Sequence, residues 1–377
     1  MGEKEELRSA RKASRHAGGW DSDLFGDVPE DSPILPQIPP DSIQRLARIL
    51  PRSVRLGSCS WAFPGWKGIV WSRRSGIRNL ANEGLSAYSR HPLLRTVGVD
   101  RAYYKPLSVG QYWHFAEQVP EDFRFLVKAP ASVTDCMVRG PGGRPLRENP
   151  FFLSPEKAEE EFVGPVLEGL GKKAGPLVFE FAASPAEWVA TQESRIRLIE
   201  RLGGFLSSLP AIDRDAAPSA FYAVEIRTPQ IYTPRFVAAL SAAGARLTVG
   251  LHPSMPDASR QANALRAMDD PEGDPARLRL KGPLVVRWTL GMGDRFDDAR
   301  RRYEPFSRIQ RPDPVTREVV ASLVLAAVRS GVPSYVVANN KAEGCAPLSM
   351  AALAERIADR LSTERDRMAA DRLMPGH

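Results

Sequence analysis

The sequence predicts an α/β protein built as one single-domain (β/α)8 TIM barrel with a flexible N-terminal arm. Three observations carry that expectation. Eight short runs rich in branched apolar residues recur along the chain, and most are followed by a longer stretch of helical period. The 377 residues hold a barrel of ~250 residues with room for extensions. No glycine fingerprint follows the first run, so a doubly wound sheet lacks its main sequence support.

Residues 1–50 differ from the rest. Between Ala17 and Asp41 there are six acidic residues and five prolines, with no Lys or Arg. Such a segment buries too little apolar surface to offset its ordering entropy. It is expected to be mobile and dispensable to about residue 40, and to end in a short amphipathic helix at 42–50 able to dock on the folded part. The barrel domain is expected over 51–363. Its strands are predicted at 54–60, 96–103, 124–130, 176–182, 221–227, 246–252, 284–290 and 334–340. Helices are predicted at 76–91, 108–118, 154–172, 191–209, 233–243, 257–269, 314–330 and 348–362. Thr233-Pro234 opens one of these and Gly244 closes it. Segments 135–153 and 270–283 read as loops, and 364–377 as a frayed tail.

The bulk composition narrows the class. The chain is 43% hydrophobic and 26% charged, as expected of a globular protein with a full core. No apolar run approaches the ~18 residues of a membrane span, and the first twenty residues lack the apolar stretch of a secretory signal. Three widely spaced cysteines, Cys59, Cys136 and Cys345, suggest neither disulfides nor a zinc site, and fit a reducing cytoplasm. The net charge of +7 comes from scattered arginines without interleaved aromatics, which argues against a nucleic-acid role. The histidines lack metal-ligand spacing, and no cofactor motif is present.

In a barrel of this kind, chemistry sits at the carboxyl ends of the strands. Those ends carry Asp100, Tyr103, Lys128, Glu180, Glu225, Arg227, His252, Arg287, Asn339 and Asn340. Period-two alternation puts Glu225 and Arg227 on one side of their strand. Charges there must be paired or must bind something. One reading is an internal salt-bridge network. The other is a polar pocket in which Lys128, Arg227 and Arg287 hold a ligand and Glu225, with Asp100 or Glu180, supplies acid–base groups. The first strand runs into "WAFPGWKGIVW", 61–71, whose Pro64-Gly65 pair favours a tight turn. Trp61 is expected to face the pocket as an aromatic wall, while Trp66 and Trp71 anchor the loop.

Five segments in order resemble the domain-of-unknown-function-72 family, the YecE-like proteins: "RLGSCSWAFPGWKG", "AYYKPLS", "FRFLVKAP", "YAVEIRTP" and "YVVANNKAEGCAP". The resemblance spans 55–357 and implies a TIM barrel with no generally assigned activity. Lys128, Glu225, Arg227, Arg287 and Asn340 match its pattern. Gly98, Asp100, Asp135, Glu180-Phe181-Ala182 and Thr289 depart from it, and no aspartate stands near 250–252. The functional expectation is therefore a charged site acting on a small anionic or sugar-like molecule. The alternative is a non-catalytic ligand- or partner-binding barrel that has lost its acid–base residues. The candidate acid–base residues are Glu225, Asp100 and Glu180. The candidate ligand-binding residues are Lys128, Arg227, Arg287, Asn340, Trp61 and Tyr103.

Overall fold

A computed structural model describes residues 33–140, 143–274 and 277–373. Eight parallel strands close into a barrel in sequential order: β1 (Val54–Ser58), β2 (Leu94–Val99), β3 (Arg124–Lys128), β6 (Ala174–Phe181), β7 (Phe221–Ile226), β8 (Arg246–Leu251), β9 (Leu284–Trp288) and β10 (Ser334–Ala338). Strands β4 (Met137–Arg139) and β5 (Pro145–Glu148) form an antiparallel pair after β3, where a plain loop is expected from the sequence. The observed barrel strands end one to four residues short of the sequence expectation. The excess residues leave the sheet as loops and short 3-10 turns, such as Asp100–Tyr103, and these form the rim of the barrel.

Helices pack outside the strands. Ser108 and Thr191 open theirs with capping boxes, and Thr233 and Asp257 cap two more through their side-chain oxygens. The helix Phe296–Tyr303 was not expected from the sequence. The last helix runs from Ala346 to Leu373, through the segment expected to fray.

Residues 1–32, most of the expected arm, lie outside the described residues. The rest of that segment is packed. Ile34 is buried, the amides of Gln37 and Ser72 bond the carbonyls of Val70 and Leu35, and the helix Asp41–Ile49 buries Leu46. The expectation of mobility to residue 40 is corrected there: a branched residue and paired backbone groups tie 34–37 to the first loop.

Two cores result. The larger lies between sheet and helices. The smaller fills the barrel with Cys59, Leu126, Val178, Phe221, Ala223, Val285, Tyr335 and Val337. Along β7, Phe221 and Ala223 face inward, and two residues further the same face carries Glu225. The same step leads from Val178 to Glu180, Leu126 to Lys128 and Val285 to Arg287. Strand periodicity thus stacks a charged layer directly on an apolar one.

The close fit has a testable cost at Gly98. A Cβ built there lies 2.9 Å from the Cα of Cys59, a backbone atom that cannot swing aside. Gly98→Ala is expected to lower stability by about 1–3 kcal/mol, read as a reduced denaturation midpoint. An unchanged midpoint would show that β1 and β2 separate freely.

Candidate functional site at the barrel mouth

The charged layer forms one connected network. Glu180 and Glu225 are register partners on β6 and β7, so two carboxylates stand side by side. Their repulsion is answered from β9. One terminal nitrogen of Arg287 donates to Glu180 at 2.5 Å and Glu225 at 2.6 Å, and the other donates to both Asp100 oxygens at 3.1 and 3.0 Å. Arg227 donates to Glu225 at 3.1 and 2.9 Å and pairs with Glu180 at 3.2 Å. Lys128 pairs with Glu180 at 3.1 Å, and its Nζ lies 3.6 Å from the centroid of the Tyr103 ring. Gly250 on β8 lies between Glu225 and Arg287, and a Cβ there would meet the Glu225 carboxyl carbon at 3.1 Å.

The electrostatics follow from burial and neighbours. Burial alone would raise the Glu180 carboxyl, but the charges of Lys128, Arg227 and Arg287 outweigh it and hold the group well below the usual carboxylate range. Burial would lower Arg287, yet Asp100, Glu225 and Glu180 push it well above its ordinary value. Burial, with help from the Arg227 charge, lowers His252 to about 4, so its ring is neutral at pH 7. Its Nδ1 accepts the Ser254 amide at 3.1 Å, which leaves the ring proton on Nε2. Burial raises the Cys59 thiol well above its ordinary value, so it remains protonated.

The structure thus brings together Asp100, Lys128, Glu180, Glu225, Arg227, Arg287 and Tyr103 from the sequence-predicted set. Three placements are corrected. Glu225 is wholly buried with both oxygens held by arginines, so it positions them and does not reach the mouth. Asn340 is buried below the rim, where its Oδ1 accepts from Trp66 Nε1 at 3.2 Å and the Ala346 amide at 2.8 Å. It is a structural clamp between the first loop and the last helix. Trp61 is 2% exposed and belongs to the outer core, edge-on to Phe115 at 5.2 Å with Arg101 over its ring. The backbone turns outward after Ser60, so this ring is scaffold rather than a wall of the mouth.

Beside the network, a cleft of about 570 Å³ opens between the strand pair β4–β5 and the loop after β2. Tyr103, Tyr104 and Phe151 line it with Asp135, Arg139 and Arg147. Tyr103 therefore borders both the cleft and Lys128. Sequence reasoning also missed Lys341, which is buried at the end of β10 beneath Phe296. Its signal was its place directly after the paired asparagines. Among the described residues no His, Cys, Asp and Glu group could hold a metal, and no helix is long and apolar enough to cross a membrane.

Fold and site together define an α/β barrel with an ion-paired cluster at its carboxyl-terminal mouth. A family model, "Protein of unknown function DUF72", matches residues 55–371, and the chain belongs to that family. The structure is similar to a DUF72 family protein, TM1631, from Thermotoga maritima MSB8. They share 18% identity over 81% of this chain and 98% of that one, with a TM-score of 0.53. It is also similar to a DUF72 family protein, EF0366, from Enterococcus faecalis V583, at 18% identity over 81% and 95% of the two chains and a TM-score of 0.49. No curated protein matches the sequence.

Proposed function

We propose that the barrel mouth binds a small, neutral, sugar-like molecule. The observation that carries this reading is charge balance. Lys128, Arg227 and Arg287 are all in contact with Asp100, Glu180 or Glu225, three cations against three carboxylates. Such a cluster offers little net field to draw in an anion. It does offer fixed donors and acceptors at its accessible edge, Asp100 and Arg227 above all. The adjoining cleft supplies aromatic faces for the apolar side of a sugar ring, and its volume suits a ligand of that size.

The same ion pairs argue against Glu180 as a general acid, because its carboxyl is held ionised near neutral pH.

Thermal-shift titration with neutral monosaccharides and their phosphorylated forms tests the reading. Neutral sugars are expected to raise the melting temperature. Tyr104→Ala should weaken that binding about five- to tenfold while leaving the free protein's stability unchanged, because the ring is 81% exposed. Stabilisation by phosphorylated compounds alone would restore the anionic reading. No response to either class would favour a partner-binding barrel.

A further inference from the structure

Two buried lysines stand at the mouth of this barrel, and their surroundings differ. Lys128 has an ion-pair partner in Glu180 at 3.1 Å. Lys341 is 8% exposed, and no carboxylate of the described residues comes within ion-pair distance of its Nζ. Its nearest recorded partner is the Phe296 ring, whose centroid is 4.1 Å away. A buried ammonium needs a counter-charge or gives up its proton. The charged groups around Lys341 are Asp100 on the barrel side, Arg300 on the helix Phe296–Tyr303 and Glu304 just after it, with the protonated Cys59 thiol alongside. Burial dominates these influences and lowers the lysine from its ordinary value. Its backbone is fixed: the Lys341 amide donates to Asn339 Oδ1 at 3.1 Å, and its carbonyl accepts from Gly291 at 3.2 Å. The amine is thus mounted on a rigid turn at the carboxyl end of a barrel strand.

We propose that Lys341 is a nucleophile that forms an imine with a small aldehyde or ketone entering the barrel mouth. Desolvation without a carboxylate partner is the arrangement that activates a lysine for this step. The neutral amine attacks the carbonyl carbon, forming a C–N bond, and the amine proton passes to the carbonyl oxygen. The resulting hydroxyl leaves as water when the nitrogen lone pair forms the C=N bond and the second N–H proton is lost. The net change is amine plus carbonyl giving imine plus water, with no oxidant or reductant consumed. The inference does not rest on the sugar-like reading. That reading is tested by reversible binding without a reductant, and this one by covalent trapping with one, so the two fail separately.

The experiment incubates the full chain with glyceraldehyde and sodium cyanoborohydride at pH 7 and follows each lysine by peptide mass spectrometry. The hydride fixes any imine as a stable secondary amine. Lys341 is expected to be modified about tenfold or more faster than the exposed Lys105 and Lys172. Phe296→Ala, which strips an exposed ring from above the amine, should keep or increase that preference. Modification of Lys341 at or below the rate of Lys105 and Lys172 in both proteins would overturn the proposal and leave Lys341 as a packing residue.

Discussion

Arg287→Met is expected to destabilise the protein by about 3–5 kcal/mol at pH 7, enough to unfold a marginal domain. The size follows from what Arg287 holds. It is 1% exposed and binds Glu180, Glu225 and Asp100 together, so its loss strands buried carboxylates without their main counter-charge. Arg287→Lys should recover only part of the loss, because one ammonium cannot reproduce the two-nitrogen grip on three carboxylates. The pH dependence has a definite sign. In the native protein the Glu180 carboxyl is depressed, so its contribution is fully present above the unfolded carboxylate value and is lost only as pH falls through the lower folded value. In Arg287→Met, acid neutralises the stranded carboxylates and relieves their repulsion. The stability gap between native and variant proteins should therefore narrow from pH 7 to pH 4, as read by urea denaturation at each pH. A loss under about 1 kcal/mol, or a gap that widens in acid, would mean that water enters the layer and screens it.

Sequence and structure agree where the physics is local. Branched runs such as "PLVFEF" become strands because both faces are covered, one by helices and one by the barrel core. Period two correctly puts Glu225 and Arg227 on the same side. What alternation cannot supply is which charge meets which across the barrel. Arg287 meets Glu180 and Asp100 from 107 and 187 residues away, and that pairing exists only once the sheet closes. The helix Phe296–Tyr303 escaped because its eight residues carry just three apolar side chains among Asp and Arg, too short a stripe to read. With it went the cover over Lys341. The Trp61 reading failed for a related reason. A residue just past a strand can turn toward the barrel axis or toward the neighbouring helix, and here the packing of Phe115 and Arg101 decides for the helix.

The opening turn supplies the second large effect. Trp66→Ala is expected to cost about 3–5 kcal/mol, the range for emptying a fully packed aromatic site. Trp66 has no exposed surface and packs near Phe63, Trp71 and Tyr88, with ring centroids at 4.9, 6.2 and 6.3 Å. It also joins the first βα loop to the last through its hydrogen bond to Asn340. The alanine variants alone do not separate packing from that bond, because Trp61→Ala should also be costly at a buried site. Phenylalanine does. Trp61 Nε1 is buried without a hydrogen-bond partner, so Trp61→Phe removes an unsatisfied donor and loses only ring volume. Trp66→Phe loses comparable volume and a made bond as well. It should therefore be the more destabilising by about 0.5–1.5 kcal/mol in paired denaturation curves. Asn340 still accepts the Ala346 amide, which keeps the difference at this modest size. If Trp61→Phe proved equal to or worse than Trp66→Phe, the Trp66–Asn340 bond would contribute nothing, and beyond the β1–β10 strand pairing the first and last loops would be held together by packing alone.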